Sequence, residues 1–242
     1  MPVARAFVSS MAGGAVFYTP DITAPAPQWK EVFDDTTAYR SFRRDPGVTG
    51  SGDNASWLAV SPDDRFLFHT VMGQSVPYGK PLEETTGMIY VLDIQKLLAA
   101  GTGAKCSIDD LNEAARGGRE RDCPELVSTV PIRDVSSGGP HWGAMDNFKR
   151  GGDGVYRETQ NVSRIAVANY FVAGSFGGGG DHRVCMFDLD RRGNVSLDRS
   201  FRDEHTGKPC VGFNRASWPH GDFGDSQPHG VLFVVSDGVV RR

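Results

Sequence analysis

Arg65-Phe66-Leu67-Phe68, running across a polar excursion to Met88-Ile89-Tyr90-Val91-Leu92-Asp93-Ile94, decides the fold of this chain. An arginine opens an apolar strand, a break intervenes, and a second apolar strand closes on an acid. The same order occurs in Arg5-Ala6-Phe7-Val8 running to Ala15-Val16-Phe17-Tyr18-Thr19-Pro20-Asp21-Ile22. It occurs again in Arg164-Ile165-Ala166-Val167 running to Val184-Cys185-Met186-Phe187-Asp188-Leu189. A strand pair that recurs at long spacing marks a repeat array. Antiparallel arrays of this kind hide their sheet edges by closing into a circle. The pattern predicts an all-β fold, a partial or truncated β-propeller of about four to five blades with short helical insertions. At about 40–50 residues per blade, the Arg65 and Arg164 units stand two blades apart, with Leu126 to Phe148 as a divergent blade between them. The whole of 1–242 then forms one propeller domain or the C-terminal portion of one, which closes by self-association if it is incomplete.

Outside the hairpins the chain is loop-rich, with 30 glycines and 14 prolines. A net charge of -4, with no basic stripe, argues against nucleic-acid binding. No apolar run approaches the roughly 20 residues that span a bilayer. Met1 to Ser10 lacks a long apolar segment, which argues against a secretory leader and for a cytoplasmic location. The four cysteines form no CxxC pair, so a zinc ribbon is excluded. Cys185, in an apolar strand, reads as a small buried hydrophobe. Cys106 and Cys123 flank one insertion; they are either a disulfide of an oxidising compartment or free thiols of a reducing one. Asn54, Asn161 and Asn194 each begin an Asn-x-Ser triplet, a pattern common by chance.

Between the hairpins, Trp29 to Phe33, Ser56 to Val60, Leu126 to Ile132, Asn161 to Val172, Val195 to Phe201 and Val231 to Val235 read as strands. Ser61-Pro62-Asp63-Asp64 is a turn, because proline pre-sets φ and aspartate accepts local backbone bonds. Gln95 to Ala100 is one helical turn stopped by Gly101. Ser107 to Arg116 carries a helix signal with Ser107 as N-cap, so 101–124 is expected to be a helical insertion.

Ser61-Pro62-Asp63-Asp64-Arg65-Phe66-Leu67-Phe68, the Gly138-Gly139-Pro140 turn, the Arg164-to-Asp190 hairpin and Trp218-Pro219-His220-Gly221-Asp222 occur in an order that resembles the C-terminal half of the selenium-binding protein / methanethiol oxidase family. The resemblance covers roughly Trp57 to Asp222. It implies a seven-bladed propeller and, in some members, oxidation of methanethiol to formaldehyde, hydrogen sulfide and hydrogen peroxide, with copper held by histidines. The family's His-rich and Cys-rich N-terminal signatures are absent from this chain, so catalysis could be incomplete.

Imidazole is a good copper ligand, and a propeller channel gathers side chains far apart in sequence. His141 follows Gly-Gly-Pro, and His220 and His229 each sit in Pro-His-Gly; such turns fix the backbone and admit close approach. His141, His220, His229 and His69 are therefore the candidate metal ligands, with Asp222 placed to orient an imidazole through its second nitrogen. Each has a plainer alternative: a turn cap for the first three, a core histidine for His69, an Asx turn for Asp222. His182 and His205 read as surface residues. No Ser lies in a G-x-S-x-G context, and Gly174 to Gly180 lacks the phosphate-loop lysine. Three functions stay open: a copper-dependent oxidoreductase acting on a small thiol; a non-catalytic propeller that binds a protein partner; and a lactonase-like hydrolase with a divalent ion on Asp63, Asn161 and Asp188.

Overall fold

The computed structural model describes residues 4–11, 14–42, 54–72, 87–108, 122–132, 139–169, 182–213, 215, 228–235 and 240–241. They form a nearly all-β structure of antiparallel sheets, the arrangement of a partial β-propeller.

The first sheet is the meander β1 (Ala6–Ser10), β2 (Ala15–Thr19) and β3 (Lys30–Asp34). The second runs in chain order through β4 (Ala55–Val60), β5 (Phe66–Val71), β6 (Met88–Asp93) and β7 (Glu125–Pro131). The third begins at β8 (Pro140–Asp146). It leaves for a hairpin, β9 (Phe148–Arg150) and β10 (Tyr156–Glu158), and returns as β11 (Arg164–Asn169), β12 (Arg183–Leu189) and β13 (Val195–Leu197). β14 (Val211–Gly212) pairs with the start of β12. β15 (Val240–Arg241) lies parallel to β10 and makes a small fourth sheet. The first strands of the three meanders, β1, β4 and β8, lie side by side, as the innermost strands of propeller blades do.

Alternation explains the packing. Along a strand successive side chains point to opposite faces. In the second sheet Leu67, Val71, Met88, Tyr90 and Leu92 pack toward the first sheet, with Val16, Tyr18 and Phe33. Phe66, Phe68, Ile89 and Val91 pack toward the third, with Ile165, Val167 and Phe187. Every residue of β5 is buried, so its run of apolar residues is the signature of a sheet covered on both faces. Each such large side chain contributes about 2 kcal/mol of transfer free energy.

The sequence pattern and the sheets differ in phase. Arg65 and Arg164 each precede or open the second strand of a meander, whereas Arg5 precedes a first strand. The two later arginines answer acids at strand ends: Arg65 Nε lies 3.3 Å from Asp93, and Arg164 Nη2 2.6 Å from Asp146. The blade expected over Leu126 to Phe148 is not one unit. β7 closes the second sheet and β8 opens the third, so the Arg65 and Arg164 hairpins occupy adjacent sheets. Three blade-like meanders and one small sheet account for the described residues, where the spacing suggested four to five blades.

Two further expectations are corrected. Val231 to Val235 pairs with no strand among the described residues, and Leu232 and Val234 stand 79% and 85% exposed. Cys185 is buried but not a lone hydrophobe, since it is bonded to Cys210; Cys106 is bonded to Cys123, the disulfide alternative for that pair. The helical turn appears as α2 (Gln95–Ala100), and Gly101–Gly103 adds a short 3-10 turn. Most of the expected Ser107 to Arg116 helix lies outside the described residues. A helix not foreseen, α1 (Asp35–Phe42), follows β3. Asp34 caps it by accepting the Thr37 backbone N–H.

Candidate functional site

β8 begins at a constrained turn. Gly139 has φ +90°, open to glycine at little cost, and donates its N–H to the Met72 carbonyl at 3.2 Å. Gly87 lies so close to Pro140 that a Cβ there would come within 2.1 Å of the proline Cδ. The Gly139-Pro140 step, crowded against Gly87, thus pins the next residue, His141, at the entry to an innermost strand. Ser56 on β4 donates its hydroxyl to the His141 carbonyl, and Ser9 on β1 donates to the Ser56 carbonyl at 3.0 Å. These serines tie the three inner strands together just below His141.

His141 meets His229. The ring centroids are 4.5 Å apart, with planes tilted by 46°. Burial, and then the charge of His229, hold His141 below the usual imidazole pKa, against an opposing hydrogen bond with the His229 backbone. His141 therefore favours the neutral ring, the form with a lone pair for a metal. Trp142, 44% exposed, is the neighbouring large apolar surface, and Gly230 packs beside its indole.

His220 and Asp222 lie outside the described residues. His69 does not join the pair. It projects from β5 toward the first sheet and is fully buried. Its Nε2 lies 2.9 and 3.0 Å from the two Asp35 carboxylate oxygens, and its Nδ1 3.3 Å from the Trp57 carbonyl. Both ring nitrogens are engaged, and the second sheet stands between this residue and the third, which carries His141. The core alternative describes His69. Asp35 escaped the sequence reading, although the Asp34-Asp35-Thr36-Thr37 run is a helix-start signal. His205 sits on the surface beside Glu204, 3.5 Å away. Among the described residues, no group of three or more His, Cys, Asp and Glu side chains could hold one metal ion. His141 and His229 supply two candidate ligands.

The lactonase-type set divides. Asp63 and Asn161 line one cleft, but Asp188 does not. Asp63 Oδ1 accepts from the Ser61 hydroxyl and the Arg65 N–H, as a turn former does.

No family model matches the chain, and no curated protein matches it. Among solved structures it is similar to a candidate 6-phosphogluconolactonase from Bacteroides fragilis, at 10% identity and TM-score 0.40, over 86% of this chain and 36% of that one. A second candidate 6-phosphogluconolactonase, from Bacteroides uniformis, gives 10% identity and TM-score 0.39 over 86% and 38%. A hypothetical selenium-binding protein from Sulfolobus tokodaii gives 11% identity and TM-score 0.40 over 88% and 39%. The chain spans less than two fifths of the length of these structures. Likeness at this level carries no inference about substrate or site.

Proposed function

We propose that this chain is a selenium-binding/methanethiol oxidase-like propeller protein in which His141 and His229 hold copper. One observation carries the reading: two imidazoles from distant Pro-His turns meet at an innermost strand, with His141 held toward its neutral, ligating form. Imidazole nitrogen suits copper. His220 would add a third imidazole, and Asp222 would orient one through its second nitrogen. Bound copper supplies one-electron and dioxygen chemistry. The chain's own residues bind and position. The serine ties hold the His141 backbone in place for its pairing with His229. Atom balance for oxidation of methanethiol to formaldehyde, hydrogen sulfide and hydrogen peroxide calls for dioxygen and water as co-reactants.

Titration of the purified chain with copper, followed by absorption and paramagnetic resonance, tests the reading. One equivalent should bind, and His141→Ala and His229→Ala should each abolish stoichiometric binding. Failure to bind, or binding unchanged in both variants, overturns it. The second reading is a binding or scaffold propeller without chemistry. Metal-free protein that still captures a partner would support that reading.

In this proposal residues 1–242 act as one propeller portion that self-associates to cover its open sheet edges. The pairing of all four cysteines supports an oxidising compartment as the alternative to the cytoplasm. Among the described residues, no helix is long and apolar enough to cross a membrane.

A further inference from the structure

A second candidate site lies near the other end of β8, where Ser163 donates its N–H to the Asp146 carbonyl, about 17 Å along the strand from His141 at ~3.3 Å per residue. The Ser61-to-Phe66 turn of the second sheet, Asn161-Val162-Ser163 and the Leu189-Asp190-Arg191 turn of the third sheet enclose a cleft of about 510 Å³. Ligand sites for small molecules run to about 300–1,000 Å³. Phe66, Val162 and Leu189 supply apolar lining, and the polar groups stand around them.

The charges in the cleft are unequal in availability. Asp190 is consumed by its own turn. Its Oδ1 accepts the Arg192 and Asn194 N–H groups at 2.8 and 2.9 Å, and its Oδ2 accepts the Asn194 side-chain amide at 2.8 Å. Asp63 Oδ1 is taken by Ser61 and Arg65, as described. The two guanidinium groups are differently placed. Arg65 is fixed on three sides: Nε on Asp93 at 3.3 Å, Nη1 donating to the Arg191 carbonyl at 3.0 Å, and Cζ 4.6 Å from the Phe66 ring centroid. Its Nη2 keeps free donors among the described residues. The Arg191 side chain is exposed and makes no hydrogen bond or ion pair among them. A held guanidinium beside an uncommitted one, with an apolar lining, suits a ligand that carries an oxyanion. Guanidinium forks take carboxylates and phosphates in two-point fashion.

We infer that this inter-blade cleft binds a small organic anion, a carboxylate or a phosphate ester, through Arg65 and Arg191. This site is separate from the proposed copper centre, and its test does not depend on metal.

Calorimetric titration and thermal melting of the full chain with inorganic phosphate, with citrate, and with glucose as a neutral control, all at matched ionic strength in chloride, decide the matter. Saturable one-site binding of at least one anion, with a raised Tm, is expected. Phosphate alone would indicate a phosphorylated ligand, and citrate alone a carboxylic acid; either supports the site. Arg191→Ala removes an exposed side chain with no hydrogen bond or ion pair among the described residues, so it should fold normally and weaken binding about tenfold. Arg191→Lys keeps the charge but loses the fork and should recover only part of that. No saturable anion binding, glucose binding as tight as the anions, or wild-type affinity in Arg191→Ala overturns the inference. Copper binding should be the same in wild type and Arg191→Ala.

Discussion

At the residue scale, His69 and Asp35 form a polar couple inside the core. It joins the second sheet to the start of α1, and both side chains are shut off from water. Removing one member of such a pair strands the other in a low-dielectric core. His69→Ala should destabilise the protein by about 3 kcal/mol, read from chemical denaturation. A change under about 0.5 kcal/mol, the size of an ordinary surface substitution, would refute that assignment. Asp203 makes a different commitment. Burial raises its pKa, but the backbone N–H groups of Gly212, Thr206 and His205 outweigh that and hold it at about 2, below the ordinary 3.8. Because the folded value is the lower one, this carboxylate's contribution is complete above pH 3.8 and fades as the pH falls toward about 2. Melting curves between these limits should show a steeper acid loss for wild type than for Asp203→Asn.

At the element scale, β8 carries the His141 end of the proposed copper site, and its packing is tight. Gly143 lies under the Trp57 indole, where a Cβ would fall 2.5 Å from a ring carbon. The indole is itself stacked on Phe68, so it has little room to yield. Gly143→Ala should cost about 2 kcal/mol and shift the near-ultraviolet circular dichroism of Trp57. Elements with a clear period were legible in the sequence: β5, β6, β11 and β12, and the Ser61-Pro62-Asp63-Asp64 turn. β8 was not, because Gly143 and the exposed Trp142 break its apolar alternation. Val231 to Val235 misled in the opposite sense, since alternation predicts a strand but cannot supply the neighbour that would pair with it. Of the candidate site, the rigid turn before His141 was readable. The approach of His229 was not, because it depends on how distant turns converge. The Cys185–Cys210 bond was hidden for the same reason.

At the scale of the whole molecule, the row of inner strands has two ends. At one, Val8 and Met11 in and after β1 are 47% and 50% exposed. Leu232 and Val234, a few residues after the His229 that meets β8, are 79% and 85% exposed. Exposed apolar groups of this size are what an unclosed ring would present, and such groups seek cover. Size-exclusion chromatography with light scattering should show self-association that weakens when Leu232 and Val234 are replaced together by Lys. A strictly monomeric wild type would remove the self-association proposal and leave the sheet order intact.

The second sheet, hemmed in on both sides, sets the order in which the molecule comes apart. Outer meanders can peel away by wetting one face, but β5 and β6 reach water only when both flanks have gone. Their amide protons should therefore be the last to trade for deuterium, with His69 and Tyr90 marking the innermost refuge of the native state.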